Sequence, residues 1–218
     1  MARLQAHARS KRAATFAERA SVGARTELGF LPRDLLAQAR CLDIEAGTVL
    51  FRTGGRPEML YYVLEGEIAL LRHSVRGQAI VLQRARRGFL AEASVESRRY
   101  HCDGVARAPS RVCTLPLGPL RRALAEDIAF AAAWAHRLAG EIRRLRARAE
   151  RLQLHGAEAR IVHFVESEGV DGAIELDQPL KSWALELGIT HEALYRALAR
   201  MERAGRLARD GSRLRLLR

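Results

Sequence analysis

The chain has 218 residues, 48% of them apolar, which is enough to bury the core of one large domain or two modest ones. Its formal net charge of +12 favours an anionic partner such as nucleic acid. No apolar run approaches the roughly 20 residues of a membrane span, and no signal-peptide pattern opens the chain. We therefore expect a cytoplasmic protein with no membrane partner.

The N-terminal segment is polar and weakly patterned. Its first 25 residues hold six basic residues and one acidic residue. We interpret residues 1–24 as a basic, frayed tail; an arm that contacts DNA phosphates is the alternative. Residues 28–42 then have the pattern of a short helix, opened by Pro32 in its first turn.

From Gly47 onward the apolar pattern changes to the period of two that is typical of β-strands. Five short runs rich in β-branched and aromatic residues follow. Glycines recur between them at intervals of 12, 11 and 11 residues, at Gly54, Gly66, Gly77 and Gly88. Strands that reverse at each glycine predict a β-roll or jelly roll, to which we assign residues 25–119.

The chain has three cysteines, Cys41, Cys102 and Cys113, with no CxxC pair. An odd number without close pairs argues against a disulfide framework and against a zinc site. If Cys102 and Cys113 lie on neighbouring strands they form a candidate redox switch, but the simpler expectation is buried thiols.

Beyond Pro116 and Pro119 the pattern becomes helical, and residues 120–154 are predicted to form one long helix. Apolar residues step alternately by three and four along it, which is the seam of a coiled coil. The seam predicts a two-fold homodimer; a helix packed on its own β-roll is the alternative. The interface residues are Ile128, Ala131, Ala135, Leu138, Ile142, Leu145 and Leu152.

Residues 155–218 have the pattern of a winged helix-turn-helix. Residues 182–187 form a short helix, Gly188 permits a left-handed turn, and Thr190 caps a second, amphipathic helix. Two strand-like segments joined by Asp210-Gly211 then form the wing. From residue 196 to the last residue there are eight arginines and two acids, so positive charge is focused at this end.

The outward residues of the second helix are candidates for reading bases. Arg196 can contact guanine with two hydrogen bonds, and Glu192 can accept one from cytosine. Wing arginines suit phosphate contacts. A dimer would bind double-stranded DNA at a pseudo-palindromic operator, with RNA polymerase as a further candidate partner. The predicted DNA-binding residues are Ser182, Thr190, His191, Glu192, Tyr195, Arg196, Arg209 and Arg213.

The chain resembles the cyclic-AMP receptor and fumarate–nitrate regulator (Crp/Fnr) family of bacterial transcription factors over nearly its full length after about residue 25. The resemblance implies an α+β protein with a cyclic-nucleotide-binding-like β-roll, a long dimerisation helix and a C-terminal winged helix-turn-helix. His191 departs from the arginine that is common in the family's recognition helix. The motifs are Leu50-Phe51-Arg52 with Gly54, Leu60-Tyr61-Tyr62-Val63-Leu64-Glu65-Gly66, the long helix, and Gly188-Ile189-Thr190-His191-Glu192-Ala193-Leu194-Tyr195-Arg196.

The resemblance also implies an effector pocket in the β-roll, next to the long helix. Cyclic-AMP binders of the family carry an arginine for the cyclic phosphate where this chain has Tyr100, and a Thr-Ser pair for the purine where it has Arg143-Arg144. These departures predict a regulator that does not depend on cyclic AMP, with an unidentified effector. The candidate pocket residues are Glu92, Ala93, Ser94, Arg98, Arg99, Tyr100, His101, Arg143 and Arg144.

Several alternatives remain open on the sequence. They are a cyclic-nucleotide-responsive regulator, a haem sensor that uses His101 and Cys102, and a redox sensor of the same fold. An iron–sulfur sensor of the family needs four cysteines, which disfavours that cofactor. An enzyme of the cupin type is disfavoured because His73 and His101 lack the repeated spacing of a metal site, so we predict no enzyme and no metal. A module whose output is protein contact does not account for the wing.

Overall fold

The computed structural model describes residues 14–15 and 28–217. The chain divides into two compact units, Met1–Trp134 and Ala135–Arg218, and the division falls inside the predicted long helix. Ala14 and Thr15 form a strand paired with Arg40 and Cys41. The interpretation as a frayed tail is therefore wrong for these two residues, because their backbone joins a sheet. The rest of the tail lies outside the described residues.

The first unit is built on antiparallel strands in two sheets. The described strands are β1 (Ala14–Thr15), β2 (Arg40–Ile44), β3 (Val49–Phe51), β4 (Met59–Glu65), β5 (Ile68–His73), β6 (Ala79–Ala85), β7 (Gly88–Leu90), β8 (Asp103–Ala106) and β9 (Ser110–Pro116). One sheet has the order β1-β2-β9-β4-β7, and the other has the order β3-β8-β5-β6. This arrangement confirms the predicted β-roll.

The two sheets share one apolar core. β4 contributes Tyr61 and Val63, and β5 contributes Ile68 and Leu70. The four glycines predicted to reverse strands all have a positive φ. At Gly66, where φ is 91°, a Cβ would collide with Ser110 and its neighbouring backbone, so no other residue fits there.

The predicted helix over residues 28–42 is correct only in its middle part and wrong on both sides of it. The helix α1 spans only Arg33–Gln38, Ala39 is extended, and residues 40–44 form β2. β2 pairs with β9 over five residues, and these ladder hydrogen bonds outweigh the local preference for helix. β7 and β8 were also missed, because runs of three and four residues carry too little alternation to reveal a strand.

Cys41 and Cys113 lie directly opposite each other on β2 and β9 and form a disulfide, with their Cα atoms 4.1 Å apart. The expectation of three buried thiols is wrong for this pair, because a separation of 72 residues in sequence does not reveal cross-strand register. Cys102 is buried and free, and it immediately precedes β8 in the other sheet. The suggested pairing of Cys102 with Cys113 is therefore wrong too.

The predicted long helix is interrupted at Asp127. It forms α2 (Leu117–Glu126) and α3 (Ile128–Gln153), because Asp127 is extended and its carboxylate accepts a hydrogen bond from the backbone N–H of Phe130 at 2.9 Å. Such a residue caps a new helix. Early in α3, Trp134 packs edge-on against Phe89 of the roll, at 5.4 Å between ring centroids. One face of this helix start therefore packs on its own β-roll.

The second unit is a winged helix-turn-helix, as predicted. Besides most of α3, its elements are α4 (Ala157–Glu168), β10 (Ala173–Glu175), α5 (Leu180–Leu187), α6 (His191–Arg203), β11 (Leu207–Asp210) and β12 (Arg213–Leu216). The sheet order β10-β12-β11 includes a third strand, β10, that the sequence pattern did not indicate. The core surrounds Trp183, which is fully buried and packs edge-on against Phe164.

Candidate DNA-binding surface and effector region

The turn between α5 and α6 has the geometry of a helix-turn-helix. Gly188 ends α5 with a left-handed backbone (φ 65°), and its N–H donates to carbonyls of the last turn. Thr190 follows with an extended backbone, and its Oγ1 accepts from the N–H of Ala193 at 3.1 Å. Both features satisfy backbone groups that helix ends leave open, and together they set the direction of α6.

α6 has one buried and one exposed face. The buried side chains, Leu194, Ala197, Leu198 and Met201, join the core around Trp183. The exposed face presents the four predicted reading residues, His191, Glu192, Tyr195 and Arg196. The rings of His191 and Tyr195 lie 4.4 Å apart, so each limits the motion of the other.

The exposed face combines an acceptor with uncommitted positive charge. A hydrogen bond from its own backbone N–H, together with the Thr190 hydroxyl, holds the pKa of Glu192 below its usual value, so the side chain is an ionised acceptor. Arg196 forms no ion pair with any described residue. The same face continues to Arg200 and Arg203. They follow at helical spacing but are not among the DNA-binding residues predicted from the sequence.

The wing is the hairpin of β11 and β12, in which Asp210 pairs with Arg213. Arg213 is exposed at its tip, whereas Arg209 is held by Glu202 at 3.0 Å. Ser182 is half-buried in the first turn of α5, on a different helix from the reading residues. The predicted set therefore lies on three elements: α5, α6 with its cap, and the wing.

Glu158 of α4 links α6 to the residue just before the wing, and it is not among the residues predicted from the sequence. Its two carboxylate oxygens accept from Arg200 at 2.6 Å and from Arg206 at 2.7 Å. These partners are 42 and 48 residues away in the chain, so no local pattern reveals them. The hydrogen bond from Arg200, and with it the one from Arg206, lowers the pKa of Glu158.

The candidate effector residues of the β-roll differ widely in exposure. Glu92, Ala93 and Ser94 form a single turn of 3₁₀ helix, in which Ser94 is buried and Ala93 is exposed. The turn is preceded by Ala91, whose φ of 70° is left-handed although it is not a glycine. Arg98 and Arg99 are exposed, and Tyr100 is buried.

Residues 41–127 match the family model described as the cyclic nucleotide-binding domain. This part of the chain is similar to that domain. No protein of curated function matches the sequence.

Solved structures share the fold over most of the chain. FixK2 from Bradyrhizobium japonicum has a TM-score of 0.61 at 19% identity and covers 83% of this chain and 93% of its own. A protein from Silicibacter pomeroyi DSS-3, described as a cAMP-binding regulatory protein, has a TM-score of 0.58 at 22% identity, covering 88% and 90%. These likenesses confirm the resemblance to the Crp/Fnr family at the level of the fold.

Within the β-roll, Tyr100 belongs to an aromatic stack. Its ring lies 4.3 Å from that of Phe51, which lies 5.4 Å from that of Tyr61. The Tyr100 hydroxyl donates to the carbonyl of Met59 at 2.9 Å, and burial raises its pKa, so the phenol stays neutral. The position at which the family resemblance implies a phosphate-binding arginine is thus occupied by a neutral core residue.

The remaining candidate effector residues are not all buried as Tyr100 is. His101 is exposed while Cys102 is buried, so the two side chains of the suggested haem pair have opposite environments. Arg143 and Arg144 lie on the part of α3 that belongs to the second unit, where both are exposed and Arg144 pairs with Glu141 at 2.8 Å.

The predicted dimer seam lies along α3 and is open to contact. Its larger members, Ile128, Ile142, Leu145 and Leu152, are between 43% and 87% exposed. Ala131, Ala135 and Leu138 lie between them, half-buried or exposed. Phe130 and Trp134 are buried on another face of the helix.

Within residues 14–15 and 28–217, no group of three or more His, Cys, Asp or Glu side chains has an arrangement that could hold a metal ion. In the same part of the chain, no helix has the length and apolarity to cross a membrane.

Proposed function

We propose that the chain is a homodimeric, sequence-specific DNA-binding transcription regulator of the Crp/Fnr type. The exposed face of α6 carries this proposal. It offers an ionised acceptor at Glu192 and an unpaired guanidinium at Arg196, on a helix whose other face is anchored in a core. A helix of this kind fits the major groove, where both groups distinguish base pairs. We assign residues 1–24 to an N-terminal segment whose Ala14 and Thr15 join the roll, 25–119 to the β-roll, 120–154 to the end of α2 and the dimerisation helix α3, and 155–218 to the DNA-binding domain.

The open seam of α3 supports the homodimer. Ile142, Leu145 and Leu152 are about half exposed at coiled-coil spacing, and a second copy of the helix would remove them from water. A two-fold dimer presents two copies of α6. The operator is then pseudo-palindromic, with half-sites about 10 base pairs apart, one turn of DNA.

The regulator does not depend on cyclic AMP in this proposal, and its effector is unidentified. The aromatic stack at Tyr100 offers no positive charge to a cyclic phosphate. A cyclic-nucleotide-responsive regulator is the second candidate, which the domain match over residues 41–127 favours. Calorimetry with cyclic AMP separates the two: no heat of binding is expected, and a micromolar isotherm would favour the second.

A redox-sensing regulator is the alternative that the Cys41–Cys113 disulfide favours. We place the protein in the cytoplasm, where thiols are kept reduced, so the pair would be dithiol at rest and disulfide under oxidation. DNA affinity measured with and without dithiothreitol tests this alternative; equal affinities would contradict it. RNA polymerase is the proposed protein partner on a promoter, and we propose no enzymatic activity.

The central experiment compares two single arginine variants in binding titrations. Arg196→Ala should weaken binding to the operator by about 1–3 kcal/mol and flatten the preference at one G·C pair per half-site. Arg213→Ala on the wing is the matched control. It should weaken operator and random DNA alike and reduce the salt dependence, because phosphate contacts do not read sequence. Equal losses on operator and random DNA for Arg196→Ala would overturn the assignment of α6.

A further inference from the structure

A cleft lies on the surface of the β-roll, and none of the predicted DNA-binding residues lines it. Three segments form its walls: the turn between β3 and β4 at Gly54, the segment Glu96 to Arg99 after the 3₁₀ turn, and Arg121 of α2. The cleft has a volume of about 750 Å³. Sites for small molecules have volumes in this range.

Positive charge dominates this cleft, which we call the arginine cleft. Arg56, Arg98, Arg99 and Arg121 line it, and Glu96 is the one acid among its lining residues. None of the four arginines forms an ion pair within the described part of the chain. Elsewhere in the same unit, two arginines are ion-paired: Arg84 and Arg86 both contact Glu67.

Two of the guanidinium groups are held in place by neutral acceptors. Arg99 Nη1 donates to the carbonyl of Gly54 at 2.9 Å, and Arg121 Nε donates to the carbonyl of Val95 at 2.6 Å. A carbonyl orients a guanidinium without cancelling its charge. These arginines therefore keep both their remaining donors and their full charge for a ligand.

The backbone around the arginine cleft is fixed before any ligand arrives. The N–H of Gly54 donates to the carbonyl of Tyr100, and the N–H of Tyr100 donates to the carbonyl of Gly55, both at 2.8 Å. These two bonds tie the wall at Gly54 to the segment that carries Arg98 and Arg99. When a ligand binds to a site whose backbone is already ordered, less free energy is lost in ordering that backbone.

The arginine cleft is separate from the interior of the β-roll. Tyr100 and Phe51 are buried in the aromatic stack, whereas Arg98 and Arg99, immediately before Tyr100 in the chain, are exposed. The charge that could serve a phosphate thus lies on the outside of the domain, and the interior is aromatic.

We propose that the arginine cleft binds a small polyanion that carries phosphoryl groups, of a size between pyrophosphate and a nucleotide. Guanidinium groups bind phosphate oxygens through pairs of parallel hydrogen bonds, and four of them around one acid favour a ligand with at least two negative charges. The proposal does not rest on DNA binding, because every residue in it belongs to the first unit.

The test is calorimetry of the full-length protein with sodium pyrophosphate at constant ionic strength. The variant Arg56→Gln/Arg98→Gln removes two exposed arginines that have no hydrogen bond to another described residue, so the fold should be unaffected. The matched control is Arg76→Gln/Arg122→Gln, which removes the same charge from exposed positions of the same unit outside the cleft. Thermal unfolding checks that both variants are folded.

The cleft variant should bind pyrophosphate at least tenfold more weakly than the wild type, and the control should stay within twofold. Equal weakening in both variants would show general attraction to a basic protein and would overturn the proposal, as would a wild type that binds no pyrophosphate at millimolar concentration. Backbone amide shifts confined to Ser97, Arg99 and the turn at Gly54 are the expected signature in a nuclear magnetic resonance titration. Shifts confined to α6 and the wing would overturn the site while leaving the DNA-binding proposal intact.

Discussion

The candidate binding side chains of the two units have opposite environments. In the β-roll, Tyr100 is buried against Phe51, and its hydroxyl is committed to the carbonyl of Met59. In the winged helix-turn-helix, Arg196 is exposed on α6 without an ion pair to any described residue, beside the ionised Glu192. One unit buries its candidate binding residue in the core, and the other keeps its polar candidates on the surface.

This difference teaches that a shared fold does not imply a shared ligand. The described strands form a β-roll, yet Tyr100 packs with Phe51 and Tyr61 in its interior and places no charge there. The helix-turn-helix tolerates His191 in place of arginine, because an exposed position carries no packing constraint. Function therefore has to be argued from each site separately.

The largest expected effect on DNA binding comes from disrupting the predicted dimer seam of α3, the helix that begins in the first unit and continues in the second. Leu138→Asp with Ile142→Asp places two charges in the apolar seam of α3, where a second copy would leave them unpaired. We expect monomers in sedimentation velocity and operator affinity at least about 100-fold weaker, because two linked half-site contacts become one. Arg143→Asp with Arg146→Asp, on exposed positions of the same helix, is the control. A double mutant that is still dimeric would contradict the assignment of the dimer interface to this seam.

Because Tyr100 is buried, we expect Tyr100→Arg to have a large effect on the stability of the first unit. This change restores the charged residue of the family, but here it would bury an unpaired guanidinium between Phe51 and the backbone of Met59. We expect the free energy of unfolding to fall by roughly 3–5 kcal/mol, with no gain of cyclic-AMP binding. His101→Arg, at the next and exposed position, should change the stability little. A stable Tyr100→Arg protein that binds cyclic AMP would show that the interior is a pocket after all.

The Cys41–Cys113 disulfide should affect the stability of the two units differently, because it cross-links two strands of the β-roll only. It closes a loop of 72 residues, and its reduction should lower the free energy of unfolding of the first unit by about 2–4 kcal/mol. Urea unfolding with and without dithiothreitol measures this difference. The Cys41→Ala/Cys113→Ala variant should not respond to the reductant, whereas Cys102→Ser should respond as the wild type does. A wild type indifferent to dithiothreitol would argue that the disulfide adds nothing.

The sequence was sufficient for features that depend on local pattern. Glycine spacing predicted the strand reversals, and Gly188 with Thr190 predicted the helix-turn-helix, because positive φ and helix capping restrict the residue type at single positions. The fold class followed from these signals and from the family resemblance.

The features that the sequence did not reveal depend on distant contacts. The Cys41–Cys113 pair needs the register of β2 against β9. The aromatic stack joins Phe51 of β3 to Tyr100 in the loop before β8, 49 residues later in the chain. The break at Asp127 was missed although a helix cap is a local signal, because the apolar pattern continues through it. The arginine cleft draws on three separate segments and has no pattern of its own.

The smallest effect concerns Glu158, which binds Arg200 of α6 and Arg206 before the wing. Its pKa is lower in the folded than in the unfolded protein, so its contribution to stability is complete above the unfolded value of about 4.3 and is lost as the pH falls through the folded value. Both arginines are more than half exposed, so solvent screens the pairs and we expect only about 0.5–1 kcal/mol in total.

Between about pH 5 and about pH 3 the wild type should therefore lose more stability than Glu158→Gln, which has no proton to gain. Urea unfolding in a Trp134→Phe background measures this loss, because the fluorescence of Trp183 then reports on the second unit alone. Glu166→Gln is the matched control: it removes an exposed acid from the same helix and should follow the wild type at every pH. If Glu158→Gln also follows the wild type, packing alone holds α4 against α6 and the segment before the wing. The polar groups on this surface would then be as available for contacts with DNA as Arg196 is.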